Sequence, residues 1–239
     1  MKQPQALENI LFLDIETVPE AKNFDQLNVE AQDLFAAKTI YKRKATDISA
    51  EDYYDHAGIW AEFGKIVCIS VGYITTTTNG RQFRVRSFFG DEKQLLIDFK
   101  ILLDKHFSSI QHKLCAHNGK EFDFPFIARR MLKHKLELPI LLQLMGKKPW
   151  EVPHIDTLEL WKFGDYKHYT SLKLLAHFFE IPSPKDDMDG SDVASVYYEE
   201  NDLSRIVRYC EKDVITLTQI YLKLTLQPPL SNNEIVSIS

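Results

Sequence analysis

The chain has 239 residues, of which 44% are hydrophobic and 26% are charged, and its formal net charge at pH 7 is −5. This composition excludes a disordered or fibrous protein and is sufficient for one substantial core. No apolar run approaches the roughly 18 residues that a membrane span needs, and the N-terminal segment lacks the apolar core of a signal peptide. Three scattered cysteines predict neither a zinc site nor a disulfide framework. We therefore expect a cytoplasmic protein.

The apolar pattern predicts a first strand near residues 9–16, followed by an insertion over residues 18–64. Within the insertion, FDQLNVEAQDLFAAK and SAEDYYDHA have helical patterns. Asn79 and Gly80 indicate a hairpin turn between the next two strands. The elements predicted after the insertion are strands near 65–75 and 82–89, a helix over 91–107, a strand at 113–117, a short strand at 154–157 and a long C-terminal helix.

The first predicted strand carries two acids in the segment ILFLDIET. Side chains alternate across a strand, so Asp14 and Glu16 project from the same face with Cα atoms about 6 to 7 Å apart. One or two hard cations could bridge two carboxylates at this spacing. Alone, a D-x-E pattern is also typical of solvated acids at a strand end.

Two further acidic motifs follow later in the chain. Asp123, in AHNGKEFDFPFI, lies in the first turn of a predicted helix, where an acid also complements the helix dipole. Tyr209 and Asp213, in YCEKDV, are one helical turn apart and can reach a common point. They could otherwise be a core aromatic residue and a surface acid.

The chain thus combines D-x-E on an early strand, H-N-x3-F-D after a later one and Y-x3-D on a C-terminal helix. In this it resembles the DEDD superfamily of 3′-to-5′ exonucleases. In the histidine subtype of this superfamily the general base lies five positions before the last acid, but here that position holds Arg208. Tyr209 lies four positions before Asp213, as in the tyrosine subtype. The resemblance is closest to stand-alone predicted exonucleases related to the exonuclease domain of family B DNA polymerases. The segments GKIVCISVGYI, HIDTLELW and YTSLKLLAHFFEIP are similar to that group as well.

The predicted element order and the resemblance both imply an α/β, ribonuclease H-like fold with a mixed five-stranded sheet flanked by helices. We expect a single domain over residues 1–225, including the 18–64 insertion, and a polar C-terminal tail over residues 226–239. The insertion is expected either to cap the site or to cover the sheet.

By resemblance, two divalent ions, Mg²⁺ or Mn²⁺, are the implied cofactors. Asp14 would bridge both ions, Glu16 and Asp213 would ligate one, and Asp123 would hold the other. Tyr209 would orient the attacking water, because a phenol with an ordinary pKa near 10 is a poor base at neutral pH.

Thr17, Asn118 and Phe122 match family positions that contact the substrate strand, although Phe122 could equally be a core residue. The basic stretches at 42–44, 129–135 and 147–148 are candidates for gripping the phosphate backbone. Each of them could instead be a solvated face.

The expected function is metal-dependent hydrolysis of single-stranded nucleic acid from its 3′ end, with DNA favoured over RNA. One alternative is a catalytically silent nucleic-acid-binding or scaffold module that keeps the fold. Another is a hydrolase of short oligonucleotides that uses the same ions.

Overall fold

The computed structural model describes residues 6–44, 47–78, 80–165, 169–182 and 188–238. The strands in this part of the chain are β1 (Ile10–Pro19), β2 (Gly64–Thr77), β3 (Gly80–Phe89), β4 (Lys113–Ala116), β5 (Ile155–Asp156) and β6 (Ile235–Ser237). Its α-helices are α1 (Val29–Arg43), α2 (Glu92–His106), α3 (Asp123–Lys133), α4 (Thr157–Lys162), α5 (Leu172–Phe178), α6 (Val193–Ser195) and α7 (Leu203–Leu224). None of these helices has the length and apolar composition that crossing a bilayer requires.

The strands form one mixed sheet in the order β5-β4-β1-β2-β3-β6. β1, β2 and β3 pair antiparallel as a meander, whereas β4, β5 and β6 join by parallel pairing. Gly80 has a φ of 108° at the start of β3, a conformation that favours glycine. The other residue of the predicted turn, Asn79, lies outside the described residues.

Within the described residues the sheet has six strands, so the predicted count of five is wrong. The additional strand, β6, lies in the segment that the sequence predicts to be a polar tail. It pairs with residues Phe83 to Val85, and Arg81 holds it through an ion pair with Glu234 at 2.8 Å. An edge strand of three residues has too little apolar periodicity to be recognised in sequence.

The two faces of β1 pack against different helices. Leu11, Leu13 and Ile15 lie in a core with α2 and α3, whereas Ile10 and Phe12 lie in a second core with α7. This division follows from the alternation of side chains along a strand. Asp14 and Glu16 continue the second series and therefore belong to the α7 face.

The insertion forms a small aromatic core of its own. Phe35 of α1 makes edge contacts with the rings of Tyr54, Trp60 and Phe63, at centroid distances from 5.2 to 6.0 Å. The segment SAEDYYDHA contributes a tight 3₁₀ turn over Tyr54–Ile59 and no α-helix. The insertion meets the end of β1 where Thr17 Oγ1 donates to the carbonyl of Gly58 at 2.8 Å.

Candidate active site

Asp14 and Glu16 lie on β1 at the place where its pairing with β4 has ended. Parallel pairing with β4 covers residues 10–12 only, and the register with β2 shifts between Glu16 and Thr17. Asp14 is half-buried and Glu16 is 7% exposed. A carboxylate oxygen of each residue lies within 4.8 Å of the other and of Cys210 Sγ. The two acids therefore share one side of the sheet.

Asp123 is the first residue of α3 and is 3% exposed. A tight loop leads into the helix, and a Cβ on Gly119 would lie 2.4 Å from Ala116 Cβ, so this loop requires glycine. The backbone N–H of Ile15 interacts with the Asp123 carboxylate from β1. Asp123 Oδ1 is buried without a hydrogen-bond partner among the described residues. Such an oxygen is costly to bury unless something else neutralises it.

Tyr209 and Asp213 come from α7, whose apolar face packs on β1 and β2. The Tyr209 hydroxyl hydrogen-bonds to the Asp213 carboxylate one turn further along the helix. Both side chains are half-buried, and the charges of Asp14 and Glu16 act on Tyr209. Three separate elements thus bring Asp14, Glu16, Asp123, Tyr209 and Asp213 close enough for their charges to interact.

The electrostatics of this cluster are dominated by burial and by repulsion between carboxylates. Burial raises the pKa of Asp14 well above its ordinary value, and the charges of Asp123 and Asp213 raise it further. Burial likewise raises the pKa of Glu16 well above its ordinary value, and the charges of Asp14 and Asp213 raise it further. Burial raises the pKa of Asp123 to about 7, although backbone N–H groups partly oppose the shift. Burial and the neighbouring charge of Asp213 raise the pKa of Tyr209, so its hydroxyl stays protonated at neutral pH.

The donor set of this cluster fits hard divalent cations. Carboxylate oxygens are the ligands that Mg²⁺ and Mn²⁺ prefer, and the buried Asp123 Oδ1 still needs a partner. A bound cation would also offset the repulsion that adds to the raised pKa values of Asp14 and Glu16. The acidic cluster can therefore hold divalent ions.

The three predicted substrate contacts lie next to the cluster. Thr17 follows Glu16 on β1, and its hydroxyl proton is already donated to Gly58. Asn118 has a φ of 63° in the loop before α3, and its N–H is donated to Asp156 Oδ1 at 2.9 Å. The Phe122 ring is partly buried on the core beside Phe126, at a centroid distance of 5.5 Å.

Sequence reasoning missed the role of Asp156 in shaping this loop. The residue is 3% exposed, and its Oδ1 accepts from Asn118 and Leu158 while its Oδ2 accepts from Lys120 at 3.1 Å. It thereby caps α4 and holds the backbone that leads to Asp123. The only available signal was an Asp directly before a helical pattern, which is typical of an N-cap.

Tyr169 was also missed as a neighbour of the cluster. Burial raises its pKa, as do the charges of Asp123 and Asp14, so its hydroxyl lies near those acids while 63% of the residue stays exposed. Its ring meets the His117 ring edge-on at 6.1 Å. His117 is itself fixed by Thr157 Oγ1 at 2.9 Å and the Thr170 carbonyl at 2.8 Å. Tyr169 is thus an aromatic side chain at the rim of the acidic site.

Comparison with protein families gives one match over most of the chain. Residues 59–235 match the family described as predicted 3′-5′ exonuclease related to the exonuclease domain of PolB. The chain belongs to this family. The match includes Asp123, Tyr209 and Asp213, while β1 with Asp14 and Glu16 precedes it. No curated protein matches the chain.

Among solved structures, the family B DNA polymerase from the hyperthermophilic archaeon Pyrobaculum calidifontis is similar at a TM-score of 0.50 and 13% identity. The similarity covers 92% of this chain and 26% of the polymerase, so the chain spans about a quarter of that protein's length. It confirms the predicted ribonuclease H-like fold for this member of the exonuclease family.

Proposed function

We propose that this chain hydrolyses the 3′-terminal phosphodiester bond of single-stranded nucleic acid, with DNA favoured over RNA, by a two-metal-ion mechanism. The observation that carries the proposal is the buried Asp123 Oδ1, which has no hydrogen-bond partner among the described residues and borders a cluster of mutually repelling carboxylates. In a purely structural arrangement, this oxygen would be expected to have a compensating cation or hydrogen-bond donor of its own.

In this proposal Asp14, Glu16, Asp123 and Asp213 hold two ions, either Mg²⁺ or Mn²⁺. When bound, such ions activate water and stabilise charge on the departing 3′ oxygen. Asp14 contributes from the centre of the cluster, since Asp123 and Asp213 both act on its charge. Tyr209 keeps its proton and orients the attacking water, while its bond to Asp213 fixes the phenol ring.

The 3′ end of the nucleic acid is proposed to lie at the acidic cluster. Thr17 and Asn118 supply polar contacts, and Phe122 and Tyr169 offer aromatic surface for the terminal bases. Tyr169 is the better placed of the two rings for stacking, because most of it is exposed whereas Phe122 partly packs on the core. Preference for DNA rests on the relationship with polymerase exonuclease domains.

The direct test uses 5′-labelled DNA and RNA strands of about 20 nucleotides, with Mg²⁺, Mn²⁺ or EDTA. A metal-dependent ladder that shortens from the 3′ end, faster on DNA, is the expected result. Activity confined to much shorter strands would support the alternative of a short-oligonucleotide hydrolase. Strand binding without cleavage under any metal condition would support a silent binding module.

Two variants separate the proposed roles. Asp14→Asn should abolish the ladder while the protein stays folded, because it removes the central metal ligand. Tyr209→Phe should bind Mn²⁺ as the wild type does but cleave more slowly, on the order of 10²-fold, the lower range for groups that act on a transferred proton. Full activity in Asp14→Asn would exclude the proposed site. Loss of Mn²⁺ binding in Tyr209→Phe would contradict the role given to the phenol.

A further inference from the structure

Helix α1 exposes apolar side chains on the side that does not pack against the rest of the insertion. Phe35 occupies the packed side and is buried in the aromatic core. The other side carries Leu34, Ile40 and Tyr41, which are 58%, 52% and 87% exposed. Within the described chain, the longer helix α7 contributes none of the exposed large hydrophobic residues. A second apolar face of α1 is therefore left to solvent in the monomer.

The residues along the middle of this exposed face have the spacing of a helix-pairing seam. They are separated alternately by four and three positions, which keeps successive side chains on one side of an α-helix. All of them are exposed, and together they form what we call the α1 seam: Glu30, Leu34, Ala37, Tyr41 and Lys44. At 1.5 Å per residue the seam is about 21 Å long.

The two ends of the α1 seam carry opposite charges. Glu30 lies in the first turn of α1, Lys44 is its C-terminal cap, and the small residue Ala37 lies midway between them. Neither Glu30 nor Lys44 has an ion-pair partner among the described residues. Both charges are therefore available to another molecule.

This charge distribution is complementary to itself when two copies of α1 run antiparallel. With a two-fold axis at Ala37, Glu30 of each copy lies opposite Lys44 of the other. The same axis places Leu34 opposite Tyr41, so the apolar parts of the two seams also meet. A parallel pair would instead bring the two Glu30 side chains together, and likewise the two Lys44 side chains. Charge therefore favours the antiparallel arrangement.

We propose that the α1 seam is a homodimerisation surface, on which a second copy of this chain packs its own α1 antiparallel. Ala37 lets the helices approach closely, because the distance between packed helices depends on the side chains at the contact. A single helix pair is small compared with the roughly 1,200 to 2,000 Å² buried in stable complexes, so the dimer is weak, with a dissociation constant in the micromolar range. The inference does not rest on the proposed nuclease activity.

Sedimentation velocity of the full chain over a concentration series tests the surface directly. The measurement is made in EDTA and without nucleic acid, so it reports only on association between copies. The wild type should shift reversibly from monomer towards dimer as its concentration rises. Leu34→Glu should raise the dissociation constant by at least about tenfold, because each dimer loses two apolar side chains from its interface and gains two carboxylates there.

Leu174→Glu is the matched control. Leu174 lies on α5 and is 54% exposed, so the same substitution is made at a leucine of nearly equal exposure outside the α1 seam. The dissociation constant of this variant should equal that of the wild type. Because both leucines are exposed, both variants should fold, and circular dichroism checks that they do.

Exchange of the end charges tests the orientation of the two helices. Glu30→Lys should weaken the dimer by about tenfold, since both symmetric contacts with Lys44 change from attraction to repulsion. The double variant Glu30→Lys, Lys44→Glu has opposite charges across the interface again, so it should dimerise as the wild type does.

A wild type that stays monomeric throughout the series would overturn the inference. Loss of the dimer in Leu174→Glu would place the interface elsewhere and overturn it too, as would a folded Leu34→Glu that dimerises like the wild type. A double charge variant as weak as Glu30→Lys would exclude the antiparallel pairing.

Discussion

Without a bound cation the acidic cluster lowers the free energy of unfolding, and Asp123 shows this effect most clearly. Its ordinary pKa is 3.8, and burial raises it to about 7. A carboxyl whose pKa is higher in the folded than in the unfolded protein binds its proton more tightly when folded. It therefore lowers the free energy of unfolding as the pH rises from about 4 to about 7. Asp14 and Glu16 act in the same direction.

Replacing Asp123 with Asn should remove the contribution of this residue. In EDTA, the free energy of unfolding of the wild type should fall between about pH 4.5 and about pH 8, because Asp123 loses its proton over this range. The stability of Asp123→Asn should fall less and exceed that of the wild type at the higher pH. About 1.4 kcal/mol for each pH unit gives an upper limit of about 4 kcal/mol. Urea unfolding at both pH values measures this difference. A variant less stable than the wild type at pH 8 would contradict the repulsion described here.

At the scale of single residues, sequence predicted those relationships that local geometry fixes. Strand alternation places Asp14 and Glu16 on one face, and helical spacing places Tyr209 one turn from Asp213. The contribution of Asp156 could not be predicted in this way, because its partners Asn118 and Lys120 are 38 and 36 residues away. The contact between Cys210 and Asp14 spans 196 residues and depends on how α7 crosses the sheet.

Among the elements, α2 and α3 are joined by a buried ion pair. Arg130 is 2% exposed and donates to both oxygens of Glu92, at 2.8 and 2.6 Å, and to the Ala61 carbonyl at 2.9 Å. Glu92 also accepts from the Ile66 backbone of β2 and from His134. Arg130 therefore does not belong to a surface patch for nucleic acid. It fixes the helix that carries Asp123 to the sheet and to the insertion.

Arg130→Met should be strongly destabilising, because it leaves the Glu92 carboxylate buried without its charge partner. Losses of about 3 to 5 kcal/mol are typical of such changes. The neighbouring Arg129 is exposed, and Arg129→Met should change stability by no more than about 0.5 kcal/mol. Chemical unfolding of both variants gives the comparison. Equal stability of Arg130→Met and wild type would show that Glu92 is neutralised in another way.

The order of the main elements was predictable from apolar periodicity, whereas the two irregular regions were not. α1 begins at Val29 and continues to Arg43, beyond the predicted helical stretch, and it buries Phe35 in the aromatic core. β6 was missed because it is short and its partners in β3 lie far away in sequence, as does the supporting contact between Arg81 and Glu234, 153 residues apart. Contacts at such a distance leave no local pattern.

For the whole molecule, a net charge of −5 is unusual for the proposed binding of a polyanion. Two divalent ions would add four positive charges at the acidic cluster and leave about −1. Several basic side chains are also occupied within the protein, since Arg43 donates to the Ala36 and Ile48 carbonyls and Lys133 pairs with Glu20. Lys148 remains near the exposed Trp150 ring, at 5.4 Å from its centroid.

Strand binding should accordingly depend only moderately on salt. With about 0.7 counter-ions released for each phosphate contacted on a single strand, four contacts or fewer give a log–log slope no steeper than about −3. Fluorescence anisotropy with a labelled single strand, at fixed Mg²⁺ and increasing KCl in the Asp14→Asn variant, measures the slope. A much steeper slope would indicate a broad basic surface that the described side chains do not supply.

Anomalous diffraction from crystals with Mn²⁺ and a short uncleavable single strand would show whether β1, α3 and α7 together form a two-metal site. Two peaks about 3.5 to 4 Å apart are expected, in contact with Asp14, Glu16, Asp123 and Asp213. A map without Mn²⁺ among these carboxylates, or with one ion held away from Asp123, would exclude the proposed two-metal site.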